Sequence, residues 1–146
     1  MPPDLHIRPY RDGDEATVLA LWKTCGLVVS HNDPRKDIRR KLQVNPEWFL
    51  IGELGGTIVA TCMAGYEGHR GWINYLAVSP DVQRQRIATR MMELAERLLR
   101  NAGCPKINLQ IRSANAQVIA FYQNIGFKID NVISMGKRLE KDEPAI

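Results

Sequence analysis

Residues 72–112 constrain the fold more than any other part of the sequence. Residues 72–78 are a run of aromatic and β-branched side chains that predicts a strand. Residues 87–102 place their apolar side chains along one helical stripe. Residues 106–112 alternate apolar and polar side chains, which predicts another strand. Strand, helix and strand in this order predict one parallel β-α-β crossover.

The chain before the crossover predicts antiparallel strands. Residues 48–54 and 57–66 are two strand-like runs joined by a two-glycine turn, which is the sequence form of a hairpin. Together with residues 72–78 they predict an antiparallel meander, and residues 5–10 predict a first strand. The expected fold class is therefore α/β, with a mixed sheet that is antiparallel at its start, parallel around the crossover, and covered by helices on both faces.

Two helices are expected before the hairpin. Residues 14–25 carry apolar side chains at helical spacing, which places Trp22 in the core. Residues 32–42 begin with Asn-Asp-Pro, a combination typical of a helix start, and offer only Ile38 and Leu42 for burial. We expect a lightly anchored surface helix there, and the alternative is a mobile flap beside a binding site.

The end of the chain predicts one more helix and a closing part of the sheet. Residues 115–124 predict the last helix, which Gly126 ends, and residues 127–139 predict one or two closing strands. With 146 residues the chain has the usual size of one domain, so we expect a single domain over residues 1–146.

Composition excludes several classes of protein. The 45% hydrophobic and 25% charged residues argue against disorder, and 20 Lys and Arg against 16 Asp and Glu leave a formal charge of +4 that suits an anionic ligand. No apolar stretch approaches the roughly 20 residues of a membrane helix, and Asp4 and His6 interrupt the region where a signal peptide would be apolar. We expect a cytoplasmic protein that does not bind membranes.

Neither metal nor nucleic acid is expected as a partner. Cys25, Cys62 and Cys104 are odd in number and widely spaced, so they predict reduced thiols rather than disulfides or metal ligands. The arginines of the long predicted helix are interrupted by Glu93 and Glu96, and no aromatic platform accompanies them.

The junction between the strand at 72–78 and the long helix is the most informative segment for function. The first N–H groups of a helix lack internal acceptors and lie at the positive end of its dipole, so this turn is suited to phosphate. Arg84 and Arg86 add positive charge, and against the same dipole they are poorly placed unless an anion binds there.

This junction resembles the phosphate-binding signature of the GNAT superfamily of acetyl-CoA-dependent N-acetyltransferases. That signature is Arg or Gln, two spacers, Gly, one spacer, then Gly or Ala, and here Gln83 and Ala88 fit its outer positions. Arg86 replaces the motif glycine, and Arg84 replaces a second, frequent one. The Arg86 side chain either obstructs the approach of a phosphate or clasps it. The resemblance implies acetyl-CoA as cosubstrate, with Gln83, Arg84, Arg86 and Ala88 among its binding residues.

A second segment resembles the same superfamily. Residues 115–127 match its form of Asn, six spacers, Tyr, three spacers and Gly-Phe. The resemblance implies that Tyr122 protonates the departing CoA thiolate and that Asn115 bonds the cofactor arm. It also implies that the cofactor arm pairs with the main chain of Leu76 and Val78. The segments 32–34, 65–71 and 134–139 are similar to small bacterial YpeA-type GNAT proteins.

Acetyl transfer needs a neutral amine, and therefore a base or a water relay. Glu67 and His69 are candidates for that base because they precede the central strand, and Glu53 lies behind them on the hairpin. Their plain alternatives are loop residues beside glycines and a solvated strand residue.

Two functions follow as hypotheses. The first is direct transfer of an acetyl group from acetyl-CoA to a primary amine of a small molecule, peptide or protein, by a monomer or homodimer. The alternative is a catalytically weak module that binds CoA or acyl-CoA, which the arginine at position 86 favours.

Overall fold

A five-stranded mixed sheet with helices on both faces forms the body of the protein. The computed structural model describes residues 4–82 and 85–142. The strands are β1 (Leu5–Pro9), β2 (Phe49–Leu54), β3 (Thr57–Tyr66), β4 (Gly71–Val78) and β5 (Ile107–Asn108). The helices are α1 (Glu15–Thr24), α2 (Pro34–Lys41), α3 (Ile87–Asn101) and α4 (Ala116–Asn124).

The order of strands confirms the predicted mixed sheet. The strands lie side by side in sequence order; the first four are antiparallel, and β4 and β5 are parallel across α3. At the β2–β3 turn, Gly55 and Gly56 have φ angles of 57° and 82°. Two successive positive φ angles are those of the tight hairpin turn whose twist matches the flanking strands, and glycine adopts them without steric cost.

Two apolar cores lie on opposite faces of the sheet. On one face, α3 buries its apolar stripe against β3 and β4, and α4 adds Tyr122 to the same cluster. On the other face, α1 buries Trp22, which is fully enclosed as predicted, and α2 adds Ile38. No helix in the described part of the chain is long and apolar enough to cross a membrane.

Helix α2 is anchored more firmly than its sequence predicts. The Asp33 side chain caps it by accepting the Arg35 backbone N–H at 3.0 Å, and Ile38 is only 1% exposed. The Lys41 ammonium also donates to the backbone carbonyl of Ala64 on β3. The expectation of light anchoring was wrong because polar contacts, which hydrophobic periodicity does not detect, hold this helix.

The predicted closing strands are absent. None of the residues 127–139, all of which are described, belongs to a strand, and Ile129, Ile133 and Met135 are 76–91% exposed. The reason lies in β5, which pairs over only two residues instead of the predicted seven and so offers almost no edge for another strand. Side-chain contacts, including a 2.8 Å ion pair from Lys106 to Asp130, connect this segment to the chain around β5.

A half-buried ion-pair cluster joins β1 to the start of α1. Arg8 donates to both carboxylate oxygens of Asp14, at 2.7 and 2.9 Å, and to the carboxylate of Glu53. The side chains of Arg8 and Asp14 are 11% and 10% exposed. The hydrogen bond from Arg8 lowers the pKa of the Asp14 carboxyl below its ordinary value, although desolvation opposes the shift.

The lowered pKa of Asp14 predicts a loss of stability in acid. A carboxyl whose folded-state pKa is depressed stabilises the fold above its unfolded pKa of about 3.9, and that contribution is lost as pH falls through the lower folded value. We expect Asp14→Asn to flatten the pH dependence of the free energy of unfolding below about pH 4. Urea unfolding from pH 2 to pH 7 measures this slope. The exposed neighbour Asp12 provides the control, since Asp12→Asn should keep the wild-type slope. An unchanged slope in Asp14→Asn would contradict the assignment.

Candidate functional site

Strand β4 carries a bulge at its centre. Thr61 pairs with Ala77 and Met63 pairs with Asn74, so two residues of β4, Tyr75 and Leu76, lie opposite one residue of β3. Tyr75 has a φ of 51°, which costs a residue with a side chain of this size about 1–2 kcal/mol. Bulges of this kind change the direction of a strand and are frequent beside active sites.

Beyond the bulge, β4 has one free edge. Its parallel neighbour β5 pairs with Gly71 and Trp72 and then ends, while β4 continues to Val78. Within the described part of the chain, no strand pairs with residues 73–78 on that side. Free main-chain donors and acceptors on an edge are a template for an extended ligand. Leu76 and Val78 lie on this stretch, both half-buried against the α3 core.

The free edge leads to the N-terminus of α3. Whereas Asp33 caps α2 and Asn115 caps α4, no side-chain hydrogen bond caps α3, and its first turn contains no acidic residue. Its uncapped N–H groups and the positive end of its dipole are therefore suited to an anion.

Arg86 occupies the N-cap of α3 in a left-handed conformation. Its φ of 59° and ψ of 24° are values that glycine adopts most readily, and its side chain is exposed. This position is the one at which the signature has glycine, so the backbone keeps the conformation that glycine favours although the residue differs. Ala88 lies half-buried in the first turn of α3. The predicted binding residues Gln83 and Arg84 lie outside the described residues.

A cleft runs along α3 from Arg86 toward the end of α4. Its volume is about 300 Å³. We call this cleft the α3 cleft. It is lined by the N-cap residue of α3, four residues of α3 and one residue that follows α4: Arg86, Thr89, Met92, Glu93, Glu96 and Ile125. The N-terminal turn of α3 and the start of this cleft are therefore adjacent.

Tyr122 lies in the core beneath this side of the sheet. It is 7% exposed and packs edge-to-face against Phe121 and Phe127, with ring centroids 5.1 and 5.3 Å away. Its hydroxyl makes no hydrogen bond to another described residue. Burial raises the pKa of Tyr122 well above its ordinary value, and the neighbouring Cys62 adds to the shift. The phenol is therefore protonated throughout the physiological pH range, as a general acid must be.

Cys62 shows the effect of burial on the pKa of a thiol in this core. It is fully buried on β3, and burial raises the pKa of its thiol to about 12. A thiolate that formed in a similarly dry place would be strongly basic and would take up a proton readily.

Asn115 caps the helix that carries Tyr122. Its Oδ1 accepts the backbone N–H of Val118 at 3.3 Å. The amide nitrogen of the side chain has two further donors that this cap does not use.

The two candidate bases lie at the other end of β4. One carboxylate oxygen of Glu67 accepts the backbone N–H groups of His69, at 2.6 Å, and of Arg70, and the other accepts the indole N–H of Trp72 at 3.3 Å. These bonds lower the pKa of Glu67, with the bond from Arg70 contributing most. A carboxylate with three donors and a lowered pKa is a weak base, so its contacts indicate a role in shaping the loop.

Distance also separates these candidates from the bulge. Gly71 and Tyr75 are four residue steps of strand apart, about 13 Å, and Glu67 and His69 precede Gly71 in the chain. His69 is exposed. The third candidate, Glu53, accepts the Arg8 guanidinium and is 15% exposed, so it is a paired rather than a solvated residue. None of the three is brought together with Tyr122 by a contact in the described structure.

Sequence reasoning missed two residues around the bulge, Tyr75 and Asp37. The Tyr75 hydroxyl donates to Asp37 of α2 at 2.6 Å, and the Tyr75 carbonyl accepts the Thr61 hydroxyl at 2.8 Å. The available signal was Thr61, a polar residue in an otherwise apolar strand, which is completely buried. A buried hydroxyl needs a partner, and here the partner is the backbone of the bulge.

A second cleft lies on the α2 side of the sheet. It has a volume of about 480 Å³ and lies between Arg40 of α2 and residues 136–140. Because α2 and α3 cover opposite faces of the sheet, the two clefts lie on opposite faces of the protein.

Comparison with known sequences places this geometry in context. Residues 15–127 match the acetyltransferase (GNAT) family. An acetyltransferase of Sodalis glossinidius is 41% identical over 140 residues, which is 95% of this chain and 99% of that protein. An acetyltransferase of Yersinia pestis is 40% identical over 139 residues, with the same coverage of 95% and 99%.

Solved structures share the fold at low sequence identity. Ard1 from Thermoplasma volcanium superposes with a TM-score of 0.74 at 20% identity, covering 86% of this chain and 84% of Ard1. The aminoglycoside N-acetyltransferase AAC(6')-Iy in complex with CoA superposes with a TM-score of 0.73 at 18% identity, covering 94% of this chain and 97% of that protein.

Proposed function

Since the chain belongs to the acetyltransferase (GNAT) family, we propose that it transfers the acetyl group of acetyl-CoA directly to a primary amine of a small molecule, peptide or protein. The observation that carries the proposal is the free edge of β4, which leads from a bulge to an uncapped helix N-terminus. This edge offers main-chain hydrogen bonds to an extended arm and, at its end, N–H groups to a diphosphate.

Residues of the chain can hold each part of the cosubstrate. The main chain at Leu76 and Val78 would pair with the pantetheine arm, and the first turn of α3 around Ala88 would hold the diphosphate, with Arg86 beside it. Gln83 and Arg84 belong to the same proposed set through the family signature alone. The spare amide donors of Asn115 would reach the arm from α4. When bound, acetyl-CoA supplies an activated thioester.

Tyr122 is the proposed general acid. In the transfer, the amine nitrogen forms a bond to the thioester carbonyl carbon and the carbon–sulfur bond breaks. The Tyr122 hydroxyl gives its proton to the sulfur, and solvent then reprotonates the phenolate. Burial raises the pKa of the Tyr122 hydroxyl as well, so the proton transfer depends on the sulfur being held within hydrogen-bond distance of the hydroxyl.

The amine must lose a proton during the transfer. The candidates for accepting this proton are Glu67 and His69. Because they lie at the far end of β4, they could accept it only through a relay of water. The acceptor would approach from the second cleft, between Arg40 and residues 136–140, because the α3 cleft adjoins the diphosphate site.

A screen of amines and peptides, monitored by release of free CoA, tests the proposal. We expect calorimetry to detect binding of CoA and the screen to find at least one acceptor that releases CoA stoichiometrically with acetylated amine. Binding without transfer to any acceptor would instead favour a module that binds CoA or acyl-CoA. Absence of binding would contradict both functions.

Arg86 allows a direct test of the diphosphate site. If its guanidinium clasps the phosphate, Arg86→Ala should weaken CoA binding about tenfold. Arg86→Gly should weaken it similarly, while relief of the left-handed conformation offsets part of any cost to stability. Calorimetry at two salt concentrations measures both. Arg97→Ala, an exposed arginine farther along α3, is the control and should bind as wild type. Unchanged or tighter binding by both Arg86 variants would show that the side chain does not clasp the phosphate.

A further inference from the structure

Four side chains connect the end of the described chain to the bulge of β4. The Asp142 carboxylate accepts from Arg40 at 2.8 and 3.2 Å, and Arg40 also donates to Asp37 at 3.1 Å. The second oxygen of Asp37 accepts the Tyr75 hydroxyl at 2.6 Å. The chain of contacts is unbroken, so the segment 138–142 and the bulge are linked through α2.

The bulge itself is held from two directions. Its carbonyl at Tyr75 accepts the Thr61 hydroxyl, which in turn accepts the Trp22 indole N–H at 2.9 Å. The Tyr75 ring stacks on Trp22 with centroids 3.9 Å apart, and its hydroxyl is fixed by Asp37. A tyrosine with a positive φ persists only where its surroundings hold it. Here the backbone and the ring are both restrained.

Asp142 is built into the protein despite lying near the end of the chain. Its side chain has 0% exposure, and besides Arg40 it accepts the backbone N–H of Asp33 at 3.0 Å, at the cap of α2. Glu140, which contacts the same arginine, is 63% exposed. The buried carboxylate is therefore the group that fixes Arg40 toward Asp37.

We propose that Asp37 is a positioning residue for acetyl transfer: it shares its carboxylate between the Tyr75 hydroxyl and Arg40, and thereby fixes the β4 bulge under the reacting thioester. This inference rests on the proposed function. Arg40 donates to Asp37, and Asp142 accepts from Arg40, so the segment 138–142 belongs to the same set of contacts. None of these four side chains is required to touch the cosubstrate.

If Asp37 positions the bulge, loss of its contacts should lower turnover without lowering the affinity for the cosubstrate. Most CoA contacts would be made by main-chain groups on the free edge of β4 and at the start of α3, and none of these four side chains supplies them. The position of the bulge decides how the thioester meets the amine, and a displacement of about 1 Å at a reacting centre can lower the rate by as much as 100-fold.

The test uses three variants of the full chain and one control. Tyr75→Phe keeps the ring stack but loses the hydroxyl, Asp37→Asn loses the charge that holds both neighbours, and Asp142→Asn loosens Arg40. Asp130→Asn is the control because it breaks an ion pair of the same C-terminal region at a site away from α2. We measure kcat with an acceptor from the amine screen, the Kd for CoA by calorimetry, and hydrogen exchange by NMR of the Ala77 amide, since Ala77 pairs with Thr61 beside the bulge.

We expect kcat to fall about tenfold in Tyr75→Phe and Asp37→Asn, and by less in Asp142→Asn. The Kd for CoA should stay within about twofold of wild type, since the binding groups are intact, and exchange of the Ala77 amide should accelerate. The double variant of Tyr75 and Asp37 should be no slower than the slower single variant, because Tyr75 acts through its hydrogen bond to Asp37.

Two results would overturn the inference. One is wild-type kcat in both Tyr75→Phe and Asp37→Asn, and the other is an equal loss of turnover in Asp130→Asn. Failure of the proposed function would look different: the wild-type protein would transfer to no acceptor. In that case the exchange of the Ala77 amide still decides whether Asp37 fixes the bulge, and unchanged exchange in both variants would refute it.

Discussion

Replacing Tyr122 with phenylalanine is expected to lower kcat for acetyl transfer about 100-fold, the lower range of what a positioned general acid contributes. The substitution removes one oxygen from a ring that is otherwise enclosed by Phe121 and Phe127, so packing is kept. Without the proton of the phenol, the thiolate must leave as an anion in dry surroundings. Steady-state kinetics at saturating acceptor and acetyl-CoA measure the effect.

The matched control for Tyr122 is Tyr66→Phe. The Tyr66 hydroxyl donates to backbone carbonyls of Gly68 and Gly103 at 3.3 Å and is remote from α4 in sequence and contact. It should retain wild-type kcat, and both variants should bind CoA with wild-type affinity. If Tyr122→Phe turns over at the wild-type rate, Tyr122 has no part in the transfer.

Replacing Trp22 with alanine is expected to reduce the free energy of unfolding by about 3–5 kcal/mol. Trp22 is completely buried, stacks on Tyr75 and Phe49 with centroids 3.9 and 6.2 Å away, and donates to Thr61. Alanine leaves a large cavity between α1 and the sheet and removes the donor to a buried hydroxyl. Denaturant unfolding monitored by far-UV circular dichroism measures the loss.

The control for Trp22 is Trp48→Ala, which removes a half-buried tryptophan from the edge of the other core. Its loss should be clearly smaller, because less apolar surface is buried there. Equal losses in the two variants would show that the core between α1 and the sheet does not depend on Trp22 in the way described. If the Trp22→Ala protein does not fold, Trp22→Phe replaces it in the comparison and should show the same order of losses.

Much of the sheet could be predicted because it depends on local patterns. The two-glycine turn determines the hairpin of β2 and β3, and the helical stripe from Ile87 onward determines the crossover. These features follow from side-chain periodicity and turn residues, which are visible in the sequence. The family motifs added Tyr122, whose burial in the core the structure gives, while its role as general acid stays a prediction.

The parts that could not be predicted depend on contacts between distant residues. Nothing in the run 72–78 shows that Tyr75 adopts a positive φ, because that conformation is held by Thr61, Trp22 and Asp37 from three other elements. The predicted closing strands in residues 127–139 have suitable apolar residues, but strands need an edge, and β5 is too short to provide one.

Arg86 illustrates the limit of motif comparison. The sequence shows only that arginine replaces glycine, which is compatible with either obstruction or a clasp. The structure shows that Arg86 adopts a φ of 59° with its side chain exposed, a conformation that glycine adopts more readily.

The most direct test of the account is an NMR titration of the ¹⁵N-labelled protein with CoA. If the diphosphate binds at the start of α3 and the arm lies along the free edge of β4, the largest amide shifts should fall at residues 85–89 and 74–78. The loop at Gly68, at the opposite end of β3 and β4 from Val78, should remain unchanged. Saturable shifts that leave both stretches unmoved would contradict the proposed site.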